Sequence, residues 1–114
     1  YMGKQAYKDA QKTFEDYIKL TDSVEVKPKK ERAGAFKFIG LVHLVDKKYE
    51  DALKSLKKSI ELNGDDVNAH LWLGQTLHSL QKKEEAIKEY EKVLKMDKDN
   101  KEAKKGLEML KGPQ

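Results

Sequence analysis

The chain has 114 residues, 38% of them hydrophobic and 39% charged, a balance that fits one domain with a modest core and long, solvated helices. It has no cysteine and no apolar run of membrane-span length, which excludes disulfide frameworks, thiol catalysis, thiolate metal sites and a spanning helix within these residues. Its 24 basic and 20 acidic residues, net +4, are interleaved, which decorates helix faces and does not make the one-signed stripe of a nucleic-acid groove.

Residues 3–20 read as an amphipathic helix, with Tyr7, Ala10, Phe14, Tyr17 and Ile18 at helical spacing. Residues 21–32, containing "TDSVEVKPKK", read as a linker loop. A two-helix unit over 33–66 follows. Phe36, Ile39, Gly40 and His43, with Phe38, Leu41 and Val42 between them, set a helical period across 35–45. Ala52, Leu53, Leu56 and Ile60 do so across 52–62, and "DKKYED" separates the two. Gly64 suits a helix C-terminus. A second unit spans 67–100, broken at "LQKKEE". Asp66 and Asn100 stand just before helices, where a side-chain oxygen caps orphan backbone N–H groups. A last helix over 101–111 carries Ala103, Leu107 and Leu110, with Lys104 and Gly106 weakening its pattern, and "GPQ" ends it.

The two units are near-copies. A shift of 34 residues carries Gly40 onto Gly74, Ala52 onto Ala86, Ile39 onto Leu73, Ile60 onto Leu94 and Phe38 onto Trp72, and a further shift carries Ala69 onto Ala103 and Leu73 onto Leu107. A period of this size marks stacked helical pairs. "YKDA" at 7–10 matches "YEDA" at 49–52, so the helix over 3–20 reads as the second helix of an earlier unit, or as a cap. Its missing partner, and a start without Met at position 1, suggest a fragment of a longer protein.

This pattern resembles the tetratricopeptide repeat across residues 33–100. Ile39-Gly40, Ala52 and Leu56, then Leu73-Gly74, Ala86 and Tyr90, fill the family's Leu-Gly, small and large-apolar slots. The early Trp slot holds Phe36 and His70, the Tyr slot holds His43 and Leu77, and the closing Pro is absent. The resemblance implies one all-α domain over 1–114, a right-handed superhelical solenoid of about six helices. It also implies that each unit's helices cross closely at Gly40 against Ala52 and at Gly74 against Ala86, packing that offsets a glycine's helix cost of about 1 kcal/mol.

No nucleophile elbow, phosphate-cradling glycine loop or HExxH occurs. Of His43, His70 and His78, none are spaced i, i+4. The reading is therefore no enzyme, no metal site and no cofactor. His43 and His70 fall in aromatic slots of the repeat, where packing is the expected role. "DKDNKEAKKGLE" at 97–108 imitates a calcium loop, but Glu102 stands where the turn needs glycine, and a capped turn between helices explains it.

By the resemblance, the first helices of successive units line a concave groove. Its wall would be Gly34, Lys37, Phe38, Leu41, Leu44 and Val45, then Asn68, Leu71, Trp72, Gln75, His78 and Ser79, then Glu102, Lys105 and Gly106. A bare stripe of Phe38, Leu41, Leu71 and Trp72 marks a docking surface for a peptide or partner segment, with Lys37 and Gln75 as polar guides. The family's carboxylate clamp of two lysines, two asparagines and an arginine is matched at Lys37, but Leu41 and Trp72 occupy the asparagine slots and Glu102 and Gly106 the last-helix slots. The expectation is a protein-interaction scaffold that is not a clamp adaptor. Self-assembly into a homo-oligomer is the alternative, and nucleic-acid contact through Lys27–Lys30 ranks below it. The compartment is left open, with a cytoplasmic setting favoured.

Overall fold

The computed structural model describes the backbone of residues 4–22 and 29–112, and the side chains of 7–19 and 29–112. Among these residues six helices follow one another: α1 (Lys4–Asp22), α2 (Lys29–Val45), α3 (Tyr49–Leu62), α4 (Val67–Ser79), α5 (Lys83–Met96) and α6 (Lys101–Lys111). No strand occurs among the described residues. The chain is an all-α stack of helical hairpins, as its periodicity implied. The bounds expected for a loop, 21 and 32, do not hold, because α1 runs on to Asp22 and α2 already begins at Lys29. Lys29, Lys30, Glu31 and Arg32 are strong helix formers, and they extend α2 beyond its apolar repeat. Residues 23–28 lie outside the described residues.

The ends of the helices follow local chemistry. Asp66 caps α4 by accepting from the backbone N–H groups of Asn68 (3.0 Å) and Ala69 (3.3 Å). Asn100 caps α6 by accepting from the Ala103 N–H at 2.9 Å. α2 and α4 both end in a Schellman turn. Lys48 N donates to His43 O at 2.8 Å and Lys47 N to Leu44 O at 3.1 Å, and the same pair recurs at Lys82 to Leu77 (2.9 Å) and Gln81 to His78 (3.0 Å). The turn requires left-handed backbone at Lys47 (φ 61°) and Gln81 (φ 64°), one repeat apart.

These tight connections fold each helix back on its predecessor, so α2–α3 and α4–α5 form the most closely packed pairs. α2 also touches α4, and α4 touches α6, so the first helices form one inner row; α1 packs on α2. Buried Arg32 helps hold α1 there, its Nη1 donating to the Ile18 carbonyl at 3.4 Å. The core runs through Ala52, Leu53, Leu56, Leu73, Leu77, Ala86, Tyr90, Val93 and Ala103. Ser59 Oγ donates to Ala33 O at 2.7 Å, which ties α3 to α2 inside that core.

Gly40 and Gly74 do sit where helices meet closely, but their nearest neighbours are not Ala52 and Ala86. A Cβ at Gly40 would lie 2.6 Å from Leu56 Cγ, and one at Gly74 would lie 3.0 Å from Tyr90 Cε1. Helical side chains lean toward their own N-terminus, so the large residue one turn after the alanine covers the crossing point. Gly106 is a third such position. Its Cβ would lie 2.5 Å from Tyr90 Cζ, so this glycine seats α6 rather than weakening it. Tyr90 is thus wedged between two glycines on two helices.

Candidate functional site

Among the described residues, two hollows of similar size open on the inner row. The first lies between α1, α2 and α4, with a volume of about 500 Å³ and a lining of mainly Phe14, Tyr17, Gly34, Lys37, Phe38 and Trp72. The Phe14 and Phe38 rings stack at 4.6 Å between centroids with a 35° tilt. Trp72 is half-buried, packing one side on the core while contributing to the hollow. Lys37 donates to Asp66 Oδ2 at 2.7 Å and stands 5.9 Å from the centre of the Trp72 ring. Burial by itself raises the Asp66 pKa. The hydrogen bond and charge of Lys37, with the two capping N–H groups, outweigh that effect and leave it below its ordinary value.

The second hollow, also about 500 Å³, lies between α4, α5 and α6 and is mixed in character, lined by Gln75, His78, Tyr90, Glu102, Lys105 and Met109. The His78 and Tyr90 rings meet edge to face at 6.5 Å. Burial pushes the Tyr90 phenol up to about 12.

The sequence-derived site residues therefore divide. Lys37, Phe38 and Trp72 come together in the first hollow, and Gln75 and His78 in the second. Leu71 does not face the groove at all: it is 2% exposed and belongs to the core. Consecutive residues on a helix point about 100° apart, so when Trp72 faces the inner row its neighbour turns into the stack. Leu44 is half-buried and packs on the core, while Leu41, also half-buried, lines neither hollow. Val45 is 51% exposed and lies outside both. The continuous stripe expected from Phe38, Leu41, Leu71 and Trp72 is replaced by a compact aromatic cup. Its other wall, Phe14 and Tyr17, was missed by reasoning on the two full repeats alone. The available signal was the apolar face of the first helix, which had to pack on something, and α2 is the next helix in the chain.

His70 also departs from simple aromatic packing. It is 6% exposed, with Nδ1 2.6 Å from Glu89 Oε1 and Nε2 2.8 Å from the Gly64 carbonyl. Lys92 donates to the second Glu89 oxygen at 3.3 Å. This polar staple joins α4, α5 and the turn after α3, away from both hollows. Among the described residues, no group of three His, Asp or Glu side chains is placed to hold a metal ion. Among the same residues, no helix is long and apolar enough to cross a membrane.

The sequence profile of the tetratricopeptide repeat matches residues 44–110. Solved structures share the whole architecture. The tetratricopeptide domain of Arabidopsis OM64 superposes with a TM-score of 0.80 at 20% identity, covering 94% of this chain and 82% of that one. The second tetratricopeptide domain of human RPAP3, in complex with the HSP70 peptide SGPTIEEVD, gives 0.71 at 23% identity over 96% of this chain and 98% of that one. The first tetratricopeptide domain of Spaghetti (RPAP3), bound to the HSP90 peptide SRMEEVD, gives 0.66 at 21% identity over 96% and 94%. No curated protein matches the chain. The chain belongs to the tetratricopeptide repeat family. Domains of this family are protein–protein interaction modules and are generally non-catalytic.

Proposed function

We propose that the chain is a scaffold that holds a peptide segment of a partner protein along its inner row. Phe38 and Trp72, joined by Phe14 and Tyr17, anchor the segment, and Gln75 and His78 supply polar contacts in the second hollow. The observation that carries this reading is the aromatic cup between α1, α2 and α4. An exposed concave apolar site with a few polar groups beside it is the usual form of a segment-binding site. The neighbours seen with HSP70 and HSP90 peptides support the idea that this architecture accepts peptide segments.

Those two peptides end in acidic residues. The reading here is different: this chain does not work as a carboxylate clamp. Lys37 is engaged by Asp66, and Trp72 stands in a slot where a clamp needs an amide. The test is a displayed library of random short peptides, selected on the wild-type protein. The Phe38→Ala, Trp72→Ala double variant is expected to lose the selected peptides while keeping its helical circular dichroism. Full binding by a folded double variant refutes the proposal.

A second reading has one observation in its favour. Met109 is 67% exposed on α6, and an apolar side chain at the end of a stack can meet another copy of the chain. Mass that rises with concentration in sedimentation supports self-assembly, and a monomer at all concentrations removes it.

A further inference from the structure

Gly34 lies inside α2, where glycine disfavours a helix relative to alanine. At Gly40, Gly74 and Gly106 that cost has a packing reason, because a Cβ would lie 2.5–3.0 Å from a side chain of the facing helix. Gly34 has no such reason: a Cβ built on it meets nothing within 4 Å. What its missing side chain does leave is space, since Gly34 lines the aromatic cup.

We propose that this cup receives one bulky apolar side chain of the partner segment, aromatic or leucine-like, and that Gly34 sets the size it admits. The inference rests on the peptide-binding reading and names the chemistry of the occupant. Stacked Phe14 and Phe38, together with Tyr17 and Trp72, surround the space with ring faces and edges, which suit an aromatic or aliphatic anchor. A volume of about 500 Å³ is at the scale of a small-molecule pocket and accommodates one large side chain with its adjoining backbone.

The charges around the cup narrow the occupant further. Lys37, the cation lining it, is held by Asp66 at 2.7 Å, so a carboxylate entering here would have to break that pair. Glu31 stands exposed at the rim and repels an acidic flank while favouring a basic one. The fitting segment therefore carries an uncharged apolar anchor with a neutral or basic neighbour.

The experiment uses peptides selected from the random display library on the wild-type chain, then measured on Gly34→Leu and Gly34→Ala. Trp72 is the single tryptophan of the chain, so its fluorescence reports directly on the cup. Selected peptides are expected to share a Phe, Tyr, Trp, Leu or Met, and to shift the Trp72 emission to the blue. Gly34→Leu is expected to weaken them at least about thirty-fold, the loss of a hot-spot contact, with helical content and melting temperature no lower than wild type. Gly34→Ala, which adds one methyl group, is expected to retain leucine-anchored peptides and lose tryptophan-anchored ones; it decides the matter alone if Gly34→Leu does not fold.

Peptides that bind both variants as well as wild type overturn the inference. If those same peptides are lost on Gln75→Ala or His78→Ala, the groove reading survives without it. Selected peptides whose anchor is a C-terminal carboxylate also overturn it. A library that yields no binder removes both the inference and the function it rests on. A wild type that dimerises while folded Gly34→Leu stays monomeric assigns the cup to a second copy of the chain and overturns the peptide occupant.

Discussion

Gly40→Ala and Gly34→Ala make the same chemical change in the same helix and are expected to have opposite effects. At both sites alanine favours the helix by roughly 0.5–1 kcal/mol over glycine. At Gly34 nothing lies within 4 Å of the new methyl group, so the variant is expected to gain about that amount. At Gly40 the methyl group would stand 2.6 Å from Leu56 Cγ and 2.8 Å from Cδ2, with the Leu56 backbone nitrogen at 3.4 Å. Leu56 is 0% exposed and lies in the core, so its side chain could give way only by pushing on the residues packed around it. Overpacking of this kind costs about 1–3 kcal/mol. At the middle of both ranges a net loss of about 1 kcal/mol remains after the propensity gain. For a domain of this size that lowers the melting temperature by roughly 3–6 °C. Thermal and urea unfolding followed by circular dichroism measure both variants. Combining Gly40→Ala with Leu56→Ala should be less damaging than the sum of the two, because the second change removes the obstacle to the first. A Gly40→Ala protein as stable as wild type refutes the claim that α2 and α3 are held in van der Waals contact at this glycine.

Three further outcomes are expected. His70→Ala removes the hydrogen bond to the Glu89 carboxylate, which is only 11% exposed and keeps Lys92 as its remaining partner; a hydrogen bond to a charged group contributes about 1.5–3 kcal/mol, denaturant titration should show a loss of that order, and a loss below about 0.5 kcal/mol would deny the staple. Because the folded state holds the Asp66 pKa below 3.8, its contribution is fully present above that pH and is lost as pH falls through the lowered folded value; Asp66→Asn should remove this part of the acid dependence, and unchanged acid unfolding curves contradict it. Gln81→Gly, at φ 64°, is expected to raise stability by about 0.5–1 kcal/mol because glycine adopts left-handed backbone without steric cost, as read by the shift in melting temperature.

Much of the architecture is legible in the amino-acid sequence. The recurrence of Gly40 at Gly74 and of Ala52 at Ala86 announced a stacked hairpin, and Asp66 and Asn100 announced where two helices begin. These features are legible because periodicity and capping are local: they depend on residues within a turn or two of one another. The groove was less legible. Leu71 and Trp72 are adjacent and both apolar, and their fates differ only because α4 has neighbours on some sides and not on others. Lys37 looked available for a ligand, and only folding brought it against Asp66, which follows it by 29 positions.

The linear order of residues determined by itself that this chain makes helices, that they pair, and that the pairs repeat, since each of these follows from spacing along the backbone. Tertiary structure alone decided which large side chain fills each glycine notch, that Gly106 seats α6 on Tyr90, that His70 is locked to Glu89, and that Phe14 closes an aromatic cup over Gly34. Those outcomes depend on the angle and depth at which helices dock. Side chains distant in the chain set that geometry jointly, and no local pattern encodes it.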